Sequence, residues 1–93
     1  MPFVVLHHRV EDYGRWRSVF DQHAEARAAA GLANERVYRG VEDGNDLVLI
    51  GDVVDEARLQ AFMKSEEVWA KLREAGVLEP VTFHILPSES AGH

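Results

Sequence analysis

Five histidines are the side chains in this sequence whose ordinary pKa lies nearest neutrality, and so the ones best suited to moving protons. His7 and His8 are consecutive in the apolar run Phe3–Val10; on a strand they must point to opposite faces and cannot both serve one site. Val4, Leu6 and Val10 share the parity of His8 and are the set expected to face a helix, which puts His7 on the other side. On the last apolar run, Val81, Phe83 and Ile85 form the greasier face, so His84 is expected beside His7. His23 falls on the same helical stripe as Trp16 and Phe20. His7, His84 and His23 are therefore the candidates for general acid–base chemistry on a phenol or an activated carbon acid. The plainer reading of each is a hydrogen-bonded core or interface histidine. Trp16, Phe20, Tyr38, Phe62 and Trp69 are candidates for shaping a pocket for a planar ligand, and are equally explained as core. No HxH, HxxxH or His–carboxylate spacing supports a metal site, and no phosphate loop or nucleophile–histidine–acid pattern is present. Neither metal nor cofactor is expected.

Six elements must position these groups. Phe3–Val10 is rich in β-branched and aromatic residues and reads as a strand. Asp12 is an N-cap for a helix carrying Tyr13, Trp16, Val19, Phe20, His23 and Arg27, which Gly31 stops after three alanines. Residues 34–42 and 46–54 read as strands around Glu42-Asp43-Gly44-Asn45. Asp55 caps a second helix that Ser65, followed by two glutamates, should break into 55–64 and 66–75. Pro80 leads into a last strand ending at Leu86. Asp52 interrupts an apolar strand and calls for a partner, Arg9 or solvent. The order βαββαβ predicts an α+β, ferredoxin-like fold: a four-stranded antiparallel sheet with the helices on one face. Residues 1–87 are expected to form a single domain and 88–93 a flexible tail.

Composition narrows the function. With 46% hydrophobic residues, 28% charged and a net charge of −6, the chain is globular and ill suited to phosphate backbones, so no nucleic acid is expected. No cysteine is present, which removes disulfides and thiolate chemistry. The sequence shows no basic leader and no run long enough for a membrane span, and a cytoplasmic protein is expected.

Val4-Val5-Leu6, Leu47-Val48-Leu49-Ile50 and Val53-Val54 are apolar without alternation, the pattern of strands buried on both faces. Helices can cover only one of them. A second copy packing sheet to sheet about a twofold axis would cover the other, so a homodimer is the expected partner arrangement.

The segments Val10-Glu11-Asp12-Tyr13-x-x-Trp16 with Phe20, Ala29-Ala30-Gly31-Leu32, Leu47-Val48-Leu49-Ile50, Ala61-Phe62-Met63-x-Ser65 and Ala75-Gly76-Val77 resemble the antibiotic biosynthesis monooxygenase-like superfamily of dimeric α+β barrels. The resemblance spans roughly residues 3–86. It implies a homodimeric barrel with a pocket per subunit between sheet and helices, and activities ranging over cofactor-free oxygenation of polycyclic phenols, polyketide cyclisation, haem degradation and simple binding. The haem-degrading pattern is not kept: the first strand has His7 and His8 where that branch has asparagine, and the helix of Trp69 has no histidine. Two functions follow as expectations. One is a cofactor-free monooxygenase or cyclase acting on an aromatic or polyketide-like small molecule. The other is a non-catalytic small-ligand-binding or structural dimer.

Overall fold

Local chemistry sets the element boundaries in the computed structural model, which describes residues 2–86. Strand β1 (Phe3–Val10) ends where Asp12 caps α1 (Tyr13–Gln22), its carboxylate accepting from the Arg15 N–H at 2.9 Å. The first helix does not run unbroken to Ala30. It kinks at His23, and α2 (Ala24–Ala29) continues after it. Gly31 then turns the chain at φ 94°, with the Asp55 backbone so close that a Cβ would stand 3.0 Å from it.

Strand β2 (Leu32–Arg39) begins two residues earlier than expected and ends before a loop at 40–45. That loop is tied down by Asn45, whose side-chain oxygen accepts from the Tyr13 N–H at 3.0 Å. Strand β3 (Asp46–Val53) leads to Asp55, which caps α3 (Glu56–Met63) through the Arg58 N–H. Ser65 caps α4 (Glu66–Glu74) through the Glu67 N–H, so the second helix is broken where the sequence places the break. Strand β4 (Val77–Leu86) starts earlier than expected, because Val77 already pairs with Val10. Pro80 lies where β4 slips in register against β1, a place where its missing N–H costs no ladder bond.

The strands form one antiparallel sheet in the order β2-β3-β1-β4. The helices lie on one face, and two apolar clusters join them to it. Val4 and Val53 pack with Leu59 and Met63; Val10 and Leu47 pack with Trp16 and Ala75. Alternation along the strands sends Phe3, Val5, His7, Val48, Ile50 and His84 to the opposite face. Asp52 takes Asn34 as its partner at 2.8 Å, while Arg9 pairs with Asp43. Among the described residues no helix is long and apolar enough to cross a membrane.

Candidate functional site

A cavity of about 150 Å³ lies between the sheet and the helices. Its floor is β1 and β3 (Val4, Leu6, His8, Leu49, Gly51), and its walls come from α1, α3 and α4. Ala26 and Glu67, both exposed, are on its rim, so it opens between α2 and α4.

Its aromatic wall is a stack along α1. Trp16, only 2% exposed, lies 4.7 Å from Phe20 between ring centroids, with the planes inclined at 21°. Helical spacing brings these rings together, and Phe62 of α3 adds to the lining.

His8 is one of the polar residues along this cavity, with His23, Arg27, Glu35, Glu67 and Lys71. It is 2% exposed, and neither ring nitrogen has a hydrogen-bond partner among the described residues. Burial pushes its imidazole down to about 4 from 6.5, His7 next to it adds to the fall, and Asp46 opposes it. The ring is therefore neutral at physiological pH, with one N–H donor and one lone pair left unsatisfied in an apolar wall. Such a group is costly to bury, by about 1–3 kcal/mol, unless a hydrogen-bond partner meets it.

His23 also lines the cavity, at the kink between α1 and α2. Its Nδ1 lies 2.8 Å from the Val19 carbonyl oxygen. A carbonyl can only accept, so Nδ1 carries a proton, and in the neutral tautomer the lone pair is on Nε2.

Of the side chains singled out in the sequence, the structure brings His23, Trp16, Phe20 and Phe62 to this cavity. His7 and His84 stand on the other face of the sheet, both exposed, with His7 Nε2 2.8 Å from Asp46 Oδ1. They are near one another there, since His7 pairs with Thr82 and His84 with Val5 on adjacent strands. Tyr38, 52% exposed, shares that face on edge strand β2. Trp69 instead donates its indole N–H to the Met63 carbonyl at 2.9 Å, joining α4 to the end of α3. His8 was legible as helix-facing, but its burial with both nitrogens unpaired is a tertiary property that no local pattern reports. Among the described residues no group of three or more His, Asp or Glu side chains is placed to hold a metal ion.

No family model matches the sequence, and no curated protein does. Solved structures do match over nearly the full chain. An antibiotic biosynthesis monooxygenase superposes with a TM-score of 0.70 at 13% identity, over 96% of this chain and 99% of that one. SnoaB, a cofactor-independent oxygenase from Streptomyces nogalater, gives 0.70 at 15% identity, over 97% and 96%. Rv0793 from Mycobacterium tuberculosis gives 0.64 at 19% identity, over 99% and 100%. At these identities the likeness is one of architecture: the chain has the fold of the antibiotic biosynthesis monooxygenase-like proteins.

Proposed function

We propose that this chain is a cofactor-independent oxygenase or cyclase, which takes a flat aromatic or polyketide-like molecule into the cavity between sheet and helices. The observation that carries this reading is His8: a neutral imidazole, buried, unpartnered and set in an aromatic wall. A cavity of about 150 Å³ is the size at which an apolar protein interior takes up a benzene-like ring, so one ring fits within it and further fused rings extend toward the rim.

The imidazole accepts a proton from an activated O–H or C–H of the bound molecule. The resulting enolate or phenolate faces an imidazolium, and their attraction in a low-dielectric site supports a transfer that His8 alone would make poorly. The electron pair left on the molecule can then reduce dioxygen. For an activated methylene, one oxygen atom ends in the new carbonyl and the other leaves as water with the two hydrogens lost from carbon. The same enolate attacking a carbonyl within its own molecule gives cyclisation. His23 Nε2 is a second acceptor on the wall. The likeness of fold to SnoaB supports the oxygenase reading.

The working unit in this reading is a homodimer formed through the uncovered sheet face. Phe3, Val5, Val48 and Ile50 are apolar side chains on a face that no helix covers, and His7 and His84 would then lie at that interface. A binding protein without turnover uses the same cavity and is the second reading.

Melting of the purified protein against hydroxynaphthalenes and hydroxyquinones, followed by oxygen uptake with whichever stabilises it, tests the reading. Stabilisation and uptake that are both lost in His8→Phe support it. Stabilisation without uptake moves the assignment to the binding protein. A melting temperature that no such compound shifts overturns both readings.

A further inference from the structure

The end of the cavity away from His8 is also polar, and a defect in strand β2 makes it so. Ala33 pairs with Asp52 and Arg36 with Ile50, leaving Asn34 and Glu35 opposite the single residue Gly51. This is a β-bulge, with Asn34 in the left-handed region at φ 50°. Without the extra residue, Glu35 would pair with Ile50 and face away from the helices. The bulge turns it instead onto the cavity side, over Gly51, where a Cβ would stand 3.5 Å from Glu35 Cγ. There Glu35 Oε2 accepts from Arg27 Nε at 2.7 Å. The Arg27 guanidinium also donates through Nη1 to the Phe20 carbonyl at 2.6 Å and lies over the Phe20 ring, 3.5 Å from its centroid. The two side chains are 12% and 23% exposed, and both line the cavity.

Ring contacts of 6.0, 4.7 and 3.5 Å lead from His8 through Trp16 and Phe20 to this guanidinium. These contacts set the two polar groups at opposite ends of the aromatic wall, so a flat molecule lying along it has a polar group near each end. The pair is neutral as a whole, and it sets a carboxylate acceptor beside guanidinium donors. Two of the five guanidinium N–H groups have partners among the described residues. An uncharged hydroxyl both donates and accepts, and so suits that combination. An anion meets the charge of Glu35 in a chain whose net charge is already −6.

We propose that the Arg27–Glu35 pair is a specificity-determining end of the cavity, selecting flat, uncharged molecules with a hydroxyl at each end and rejecting anions. This rests on the reading of the cavity as a ligand site with His8 at its other end. The plain alternative is a tie between α2 and β2 with no part in binding, and a tie alone predicts no charge selectivity.

Three probes at neutral pH separate these: 2-naphthol, naphthalene-2,6-diol and 6-hydroxy-2-naphthoate, with dissociation constants from calorimetry. The wild-type protein is expected to bind the diol about tenfold more tightly than 2-naphthol, and the naphthoate more weakly than either. In Glu35→Gln the guanidinium loses its counter-charge, and the naphthoate is expected to become the tightest of the three. Arg27→Lys keeps the charge but loses the planar fork. It is expected to abolish the advantage of the diol over 2-naphthol, and it serves if Glu35→Gln does not fold. A wild-type preference for the naphthoate, or an order unchanged in both variants, overturns the proposal. If 2-naphthol binds and is weakened by His8→Phe while the diol binds no better, only this inference falls. If none of the probes binds, the cavity reading falls with it.

Discussion

The His8 imidazole meets the Trp16 indole with ring centroids 6.0 Å apart and planes inclined at 53°. That contact holds the histidine in an apolar setting where its neutral form is strongly favoured, and the preference has a consequence for stability. The folded-state pKa of His8 is lowered to about 4, against 6.5 for the free side chain. Between those values the unfolded chain binds a proton that the folded chain does not. The contribution of His8 is therefore fully present above pH 6.5 and is lost as pH falls toward 4. The span corresponds to about 3 kcal/mol. Chemical denaturation of wild type and His8→Phe across this range should show a steeper acid loss in wild type. Parallel curves would mean that His8 titrates normally.

Gly51 lies on the cavity floor at a backbone conformation open to any residue, and a Cβ there would make only ordinary contacts with Glu35, Leu32 and the Ala33 carbonyl. Gly51→Ala should fold, with stability unchanged or raised by about 0.5–1 kcal/mol because a strand glycine loses more chain entropy. Gly51→Leu should fill the cavity, keep the secondary structure and abolish ligand-induced stabilisation. Thermal melts with and without 2-naphthol read both, and a Gly51→Leu protein that still responds to the ligand would place the site elsewhere.

The two tryptophans separate packing from binding. Trp16 is buried among Tyr13, Phe20 and His8, so Trp16→Ala should cost about 3–5 kcal/mol and remove a wall of the cavity. Trp69 stands outside the lining and satisfies the carbonyl of Met63, one of the last acceptors of α3. Trp69→Phe should cost about 1 kcal/mol in urea denaturation and leave ligand affinity within about twofold. A large loss of affinity in Trp69→Phe would return that residue to the site.

What could be read from the sequence was what depends on near neighbours. Asp12, Asp55 and Ser65 cap helices because their side-chain oxygens reach N–H groups two or three residues on, and each is visible as a residue type in place. Strand parity was also legible, and it separated His7 from His8 correctly. That a pocket lies between sheet and helices followed from the family resemblance, but the set of side chains lining it did not, because that set depends on how the helices pack over β1 and β3. The bulge at Asn34–Glu35 was equally hidden. An asparagine tolerates the left-handed region, but only the pairing of Arg36 with Ile50 shows that an extra residue has turned Glu35 inward. The kink at His23 belongs with these, since its ring bonds the Val19 carbonyl at the place where the helix yields.

Val5 lies at the middle of the uncovered face, paired with Ile50 on one side and His84 on the other. Strands β1 and β3 occupy the centre of the sheet, so Phe3, Val5, Val48 and Ile50 form a contiguous apolar strip. These four side chains are half-buried in one copy, and a second copy packed on the strip would take the rest of their apolar surface out of water on both sides of the twofold axis. A lysine at the centre of the strip would have to bury its charge against its own twofold mate, while in a monomer it would lie in solvent. Val5→Lys should therefore halve the mass measured by sedimentation velocity and leave the fold intact, because the cavity side of β1 is untouched. A wild-type protein that sediments as a monomer, or a Val5→Lys protein that keeps the wild-type dimer mass, would reject association through this face.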